Sequence, residues 1–160
     1  MTAPRFTFLL ASVALAMAST FASAAAGDEQ TPVEIWNADR TTVFDGRDID
    51  LEAFRWIARP VVVFADTPAD PAFQRQLDLL QDGMDELVIR DVVLITDTSR
   101  SDLSDVRRKL RPRGFMLTLI GKDGGVKLRK PSPWHVRELT RSIDKMPLRQ
   151  QEIRDSATSE

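Results

Sequence analysis

Six consecutive apolar residues, Pro60-Val61-Val62-Val63-Phe64-Ala65, constrain this chain more than any other feature. A strand with one wet face alternates apolar and polar side chains, whereas a run that is apolar at every position belongs to a strand covered on both faces. A second such run, Val92-Val93-Leu94-Ile95, ends at Thr96-Asp97. Between the two, Asp70-Pro71 makes an N-cap and first-turn pair, and Phe73, Leu77, Leu80, Met84 and Leu87 follow at helical spacing. Two doubly covered strands joined by a helix form a βαβ unit, with parallel strands and a right-handed crossover.

The remaining elements follow from their punctuation. Ser101 or Asp102 opens another helix with Leu103, Val106 and Leu110 on one face, and Pro112 and Gly114 stop it. Phe115–Ile120 reads as a third strand, and Gly121-Lys122-Asp123-Gly124-Gly125 as a hairpin turn, because Asp-Gly supplies positive φ without steric cost. The fourth strand, Val126-Lys127-Leu128-Arg129, alternates apolar and basic residues, as a sheet edge that discourages further pairing does. Pro133 opens a last amphipathic helix carrying Trp134, Leu139 and Ile143 inward and ending at Met146-Pro147. Upstream, Asp50 caps a short helix with Leu51, Phe54 and Ile57 at helical spacing. The order βαβαββα, with helices on both faces of the sheet, predicts a thioredoxin-like α/β fold. A small doubly wound fold is the rival, and it needs a helix where Gly121–Gly125 makes a tight turn.

The first 24 residues have the layout of a secretory signal: a basic start through Arg5, an apolar run over 6–17, and the small residues Ala22-Ser23-Ala24 before Ala25-Ala26. Cleavage is expected after Ala24 or Ala26. The apolar run is shorter than the roughly 20 residues that a membrane span requires, so a periplasmic or secreted protein without a transmembrane segment is expected. Residues 25–50 read as a polar, irregular arm from which only Val33, Ile35, Trp36 and Phe44 reach a core. Residues 51–150 form the domain, and 151–160 a polar, frayed tail. The chain has no cysteine and a single histidine, His135. That excludes thiol chemistry, thiolate metal sites and iron–sulfur clusters, and it argues against a histidine-rich metal site. No cofactor or metal is expected.

Several stretches carry a family resemblance: Trp56 with 59–65, then Arg90-Asp91-Val92-Val93, then Gly114-Phe115, then Ile120–Arg129, and finally Ile143-Asp144-Lys145-Met146-Pro147-Leu148-Arg149. Over residues 51–154 the chain resembles the prokaryotic branch of the peroxiredoxin-like DUDES family, domain of unknown function 4174. The resemblance implies a thioredoxin or peroxiredoxin-like fold and no settled activity, and animal relatives of that family are secreted or matrix proteins. Redox-active members of the fold carry a reactive cysteine just past the first core strand, at a helix N-terminus. Here that position reads Asp66-Thr67-Pro68-Ala69, and the turn that holds a cis-proline in thioredoxins reads Arg113-Gly114-Phe115. The pattern departs at both landmarks.

Ligands of α/β sheets sit at the carboxyl ends of the strands. In the expected fold that edge gathers Asp66, Thr67, Asp97, Thr98 and Arg113, a set able to hold a small polar or anionic ligand. The plainer alternative is that Asp66 and Thr67 cap a loop and Arg113 pairs with a carboxylate at the surface. No residue is singled out as catalytic. Gly121–Gly125 lacks the spacing of a phosphate-binding loop, and no partner for His135 as a general base is evident.

Charge is unevenly spread. Residues 25–106 hold 7 Lys/Arg against 18 Asp/Glu, and residues 107–160 hold 14 against 6. The basic cluster from Arg107 to Lys130 either faces an anionic envelope component or pairs with the acidic half on folding. Without its leader the chain carries a net charge of −3, which does not suggest nucleic acid. The expectation is an exported, non-redox binding or interaction module whose partner is an unknown protein or an anionic envelope component. The alternative is an enzyme of peroxiredoxin-like ancestry that uses non-thiol residues at the end of the first core strand.

Overall fold

The computed structural model describes residues 30–158. The expected leader and cleavage sites lie outside the described residues. In chain order the elements are α1 (Pro32–Ala38), β1 (Val43–Asp45), a 3-10 turn (Leu51–Phe54), β2 (Arg59–Phe64), α2 (Pro71–Asp82), α3 (Met84–Val88), β3 (Val92–Asp97), α4 (Asp105–Leu110), β4 (Met116–Ile120), β5 (Val126–Lys130), α5 (Val136–Asp144) and α6 (Pro147–Thr158). The sheet runs β1-β3-β2-β4-β5. β3 pairs in parallel with both β1 and β2, while β4 is antiparallel to β2 and to β5. Thioredoxin-like topology is therefore present, with helices on both faces.

The uninterrupted apolar run does what its pattern requires, since Pro60–Phe64 are buried within β2 and Ala65 just beyond it. Successive side chains of a strand point to opposite faces. Val61 and Val63 enter one core with Phe73, Leu80, Leu139 and Ile143 from α2 and α5. Val62 and Phe64 enter the other with Trp36, Phe54, Val106 and Leu110 from α1, the 3-10 turn and α4.

Four expectations are corrected. The described part of the arm, 30–50, is not irregular: Thr31 and Glu34 form a capping box at the start of α1, with Pro32 in its first turn, and β1 adds a fifth strand beside β3. Trp36 is fully buried and donates its indole N–H to Val92 O at 3.4 Å. The helix expected from 101 begins later, because Ser104 rather than Ser101 or Asp102 accepts the Arg107 N–H at 2.9 Å, and Leu103 is left exposed. The periodic stretch from Phe73 to Leu87 is split at Gly83, where a Cβ would stand 2.8 Å from the Val136 side chain. Close approach of α5 therefore demands glycine there. Pro133 and Trp134 precede α5, which starts at Val136.

The expected polar tail is helical as far as Thr158, and α6 has no buried residue. It is docked by charge. Glu152 accepts from Arg59 at 2.9 Å, Lys122 at 2.8 Å and Arg149 at 3.3 Å, and the Arg59 side chain is only 1% exposed. Lys122 also reaches Asp91 at 2.8 Å, and Arg90 forks onto Asp144 through two bonds of 2.8 and 2.9 Å. These pairs cluster where β2 and β3 begin. Among the described residues no helix is long and apolar enough to cross a membrane.

Candidate functional site

The opposite end of the sheet is where β2 and β3 finish and β4 starts. Phe64 is in register with Asp97 on one side and with Met116 on the other, so Ala65-Asp66, Asp97-Thr98 and Gly114-Phe115 come together. The sequence-level expectation of that convergence holds. What occupies it is a side chain that sequence reasoning did not select, Arg107.

Arg107 projects from α4 beneath the strand ends and is 6% exposed. Its Nε donates to Asp97 Oδ1 at 3.0 Å, and its Nη2 donates to Ala65 O at 2.7 Å and Asp97 O at 2.9 Å. The guanidinium also lies 5.4 Å from the centre of the Phe64 ring. Asp97 is 2% exposed and accepts in addition from Ser104 Oγ at 2.5 Å and Ser99 N at 3.2 Å. A buried ion pair of this kind is tolerable only because further hydrogen bonds satisfy the remaining lone pairs and protons. Asp97 is therefore the structural anchor of α4, not an open ligand-binding group.

Asp66 remains accessible, with Arg100 at 3.3 Å and Arg107 at 3.9 Å. Thr67 is exposed and uses its hydroxyl to accept the Ala69 N–H at 3.0 Å, which fixes the turn into α2. Asp70 caps that helix by accepting from Ala72 and Phe73. Thr98 is partly buried and is not among the residues that line the cleft. Arg113 is exposed and has no side-chain partner among the described residues, and the same holds for Arg111. Arg111 ends α4 with φ +50°, and Pro112 follows it. That left-handed residue turns the chain back across the strand ends, which brings Arg113 onto the same opening as Asp66.

The result is a cleft of about 390 Å³ lined by Asp66, Arg100, Arg107, Arg108, Arg111 and Arg113. Five guanidiniums face one accessible carboxylate. Arg108 is engaged by Asp105 and donates to Leu103 O at 2.6 Å, so Arg111 and Arg113 hold the unspent hydrogen-bonding capacity. Of the five residues expected at this edge, the structure brings Asp66 and Arg113 to the cleft, places Asp97 behind it, assigns Thr67 to the turn and leaves Thr98 off the lining. The signal that pointed to the missed arginines was the basic run Arg107-Arg108-Lys109-Leu110-Arg111-Pro112-Arg113. Helical spacing alone does not show which of these turn inward.

Two other sequence candidates resolve plainly. Gly121–Gly125 is a hairpin turn closed by the Gly121 N–H to Gly125 O and the Gly124 N–H to Gly121 O, both at 2.9 Å, with Gly124 at φ +79°. His135 is exposed at the N-cap of α5 without a side-chain capping bond. Among the described residues no three His, Asp or Glu side chains stand close enough to share a metal ion.

Coiled-coil domain-containing protein 80 of Danio rerio is 31% identical over 64% of this chain, which spans only 15% of that relative's length. Of solved structures, the reduced 2-Cys peroxiredoxin of Plasmodium vivax superposes with a TM-score of 0.51 at 14% identity, covering 66% of this chain and 90% of the other. Thioredoxin peroxidase I of Plasmodium yoelii gives 0.47 at 15% identity, over 64% and 80% of the two chains. The first of these likenesses supports the fold and nothing beyond it. The family described as "Domain of unknown function (DUF4174)" matches residues 50–152, from the cap of the 3-10 turn to the carboxylate that docks α6. With that match running through β2 to β5 and α2 to α5, this chain belongs to the DUF4174 family.

Proposed function

We propose that this protein is an exported, non-redox binding domain that takes an anionic ligand in the arginine cleft at the strand ends. The observation that carries the reading is the pair Arg111 and Arg113, both without a side-chain partner among the described residues, beside three further guanidiniums and one accessible carboxylate. Planar guanidinium forks match phosphate, sulfate and carboxylate oxygens, and no lysine lines the cleft. Thiolate catalysis is not open to a chain without cysteine. The reading as an enzyme built on Asp66, Thr67 and Arg113 is less favoured, because Thr67 does not line the cleft that holds the other two and its hydroxyl accepts the turn amide. Export rests on the small-residue and apolar layout of the first 24 residues.

Thermal melts of the chain with tripolyphosphate and with polygalacturonate test the site and separate phosphate from carboxylate ligands. A ligand at 100 times its Kd stabilises by about 2.7 kcal/mol, which is roughly 10 °C for a domain of this size. That shift is expected for the native protein and not for the Arg111→Ala/Arg113→Ala variant, whose own midpoint stays within a degree or two because both residues are exposed. Equal shifts in the two proteins, or none with either polyanion, would refute the site.

A further inference from the structure

The family-like stretches that the arginine cleft does not use, Trp56 and Gly121–Arg129, meet at the far side of the molecule. Trp56 lies in the left-handed region at φ +65°, is 62% exposed, and donates its backbone N–H to Lys122 O at 2.7 Å. A bulky residue with that backbone is a genuine outlier, held only where the surroundings over-determine it. The consequence is that Arg55, just before it, is aimed at the hairpin. Its guanidinium lies 5.7 Å from the Trp56 ring, and its Nε would stand 3.7 Å from a Cβ placed on Gly124.

Behind Arg55 is a cavity of about 210 Å³ between the 3-10 turn, the end of α4 and the β4–β5 hairpin. Its floor is apolar: Phe54, Ala58, Pro60, Leu110 and Ile120 line it, and Phe54 and Ala58 are fully buried. Its mouth is cationic. Arg55, Lys109 and Arg129 stand there against a single carboxylate, Glu52, which lies 2.5 Å from Lys109 and 3.5 Å from Arg55. Hydrogen bonding from Lys109 and its charge hold the Glu52 carboxyl below its ordinary range, so the carboxylate is ionised at neutral pH and still leaves two positive charges unmatched. Arg129 spends Nη1 on Leu110 O at 2.6 Å and keeps its other N–H groups.

We infer that this cavity is a second binding site, for a small amphipathic acid whose apolar body fills the floor and whose carboxylate meets Arg55 and Arg129 at the mouth. The apolar lining selects the body and the unmatched positive charge selects the head. At about 30 Å³ per water-sized group, the volume holds roughly seven such groups, the size of a medium-chain fatty acid or an aryl-acetate.

Isothermal titration of the full chain with sodium butyrate, hexanoate, octanoate and dodecanoate, and with neutral octanol, tests the assignment. Affinity is expected to rise by about fourfold per methylene up to octanoate and then to level off as the cavity fills. Octanol is expected to bind at least tenfold more weakly than octanoate. Val126→Phe, at a position 42% exposed on the rim, should block octanoate without disturbing the core, and Arg129→Gln should weaken it about tenfold. Arg113→Ala, in the other cleft, should leave it unchanged, so the two sites fail or stand separately. Three results would overturn the inference: no saturable binding of octanoate at millimolar concentration, affinity that ignores chain length, or unchanged binding in Val126→Phe. A dimer that Val126→Phe dissociates and octanoate does not would make a second copy the occupant, and would equally refute it.

Discussion

Replacing Asp97 by Asn removes one charge from the most deeply buried ion pair of the strand-end cleft. Asp97 is 2% exposed, and its partner Arg107 is held 6% exposed under Ala65 and Asp97. Breaking such a pair by changing one partner costs about 3–5 kcal/mol, because the other charge stays buried and uncompensated. The lower end applies here. An amide oxygen still accepts one bond from Arg107, two carbonyls still accept from its Nη2, and Asp66 stands 3.9 Å from its Nη1. With a urea m-value of about 1.5 kcal/mol/M, a loss of about 3 kcal/mol lowers the midpoint by about 2 M. The control is Arg100→Ala, whose partner contact is 3.3 Å on a side chain 77% exposed, and an exposed pair of that kind is worth about 0–1 kcal/mol. Urea melts followed by circular dichroism compare the three proteins. A fall below about 0.5 M for Asp97→Asn, indistinguishable from Arg100→Ala, would refute the assignment of Asp97 and Arg107 as the anchor of the cleft.

Glu152 supplies a pH test. Burial pushes its carboxyl up, but hydrogen bonds from Lys122 and Arg59 and their charge outweigh that and hold it at about 2, against an ordinary 4.5. A depressed carboxyl contributes stability that is complete above the unfolded value and is lost as pH falls towards the folded one. The stability gap between native protein and Glu152→Gln, about 2 kcal/mol for hydrogen bonds to charged groups, should therefore stay constant above about pH 5 and close between pH 4.5 and 2 in urea melts. Gly83→Ala should lower stability by about 1–3 kcal/mol through overpacking against Val136, although alanine is the better helix former, and a midpoint that rises on substitution would show that α5 yields.

The parts of the fold that were legible in sequence are those whose pattern is local and dense. β2 and β3 show as continuous apolar runs, α2 through Asp70-Pro71, and the hairpin through Asp123-Gly124. The parts that were not legible are stabilised across long sequence separations by few residues. α1 has seven residues and β1 has three, too few for either periodicity to register, and both depend on β3 for cover. α6 carries no buried face, so apolar spacing has nothing to report, and its position is set by Glu152 against Arg59 and Lys122 and by Arg149 and Gln150 reaching Asp144. The same applies at the cleft. Asp66 and Arg113 follow from strand ends and turn residues, whereas Arg107 is distinguished from Arg108 only by which side of a six-residue helix faces the core.

The fifth strand also sets an order of events during synthesis. Val43 pairs with Leu94 and Asp45 with Thr96, so β1 waits for a partner about fifty residues downstream. A chain elongating at about 5–20 residues per second delivers that partner roughly 3–10 s later. Trp36 waits as well, because Val92 O, which accepts its indole N–H, arrives with the same strand, together with Val93 and Ile95 of the core it joins. α1 and β1 are therefore made well before the strand that covers them, and during that interval a large aromatic surface stands open to whatever accompanies the growing chain.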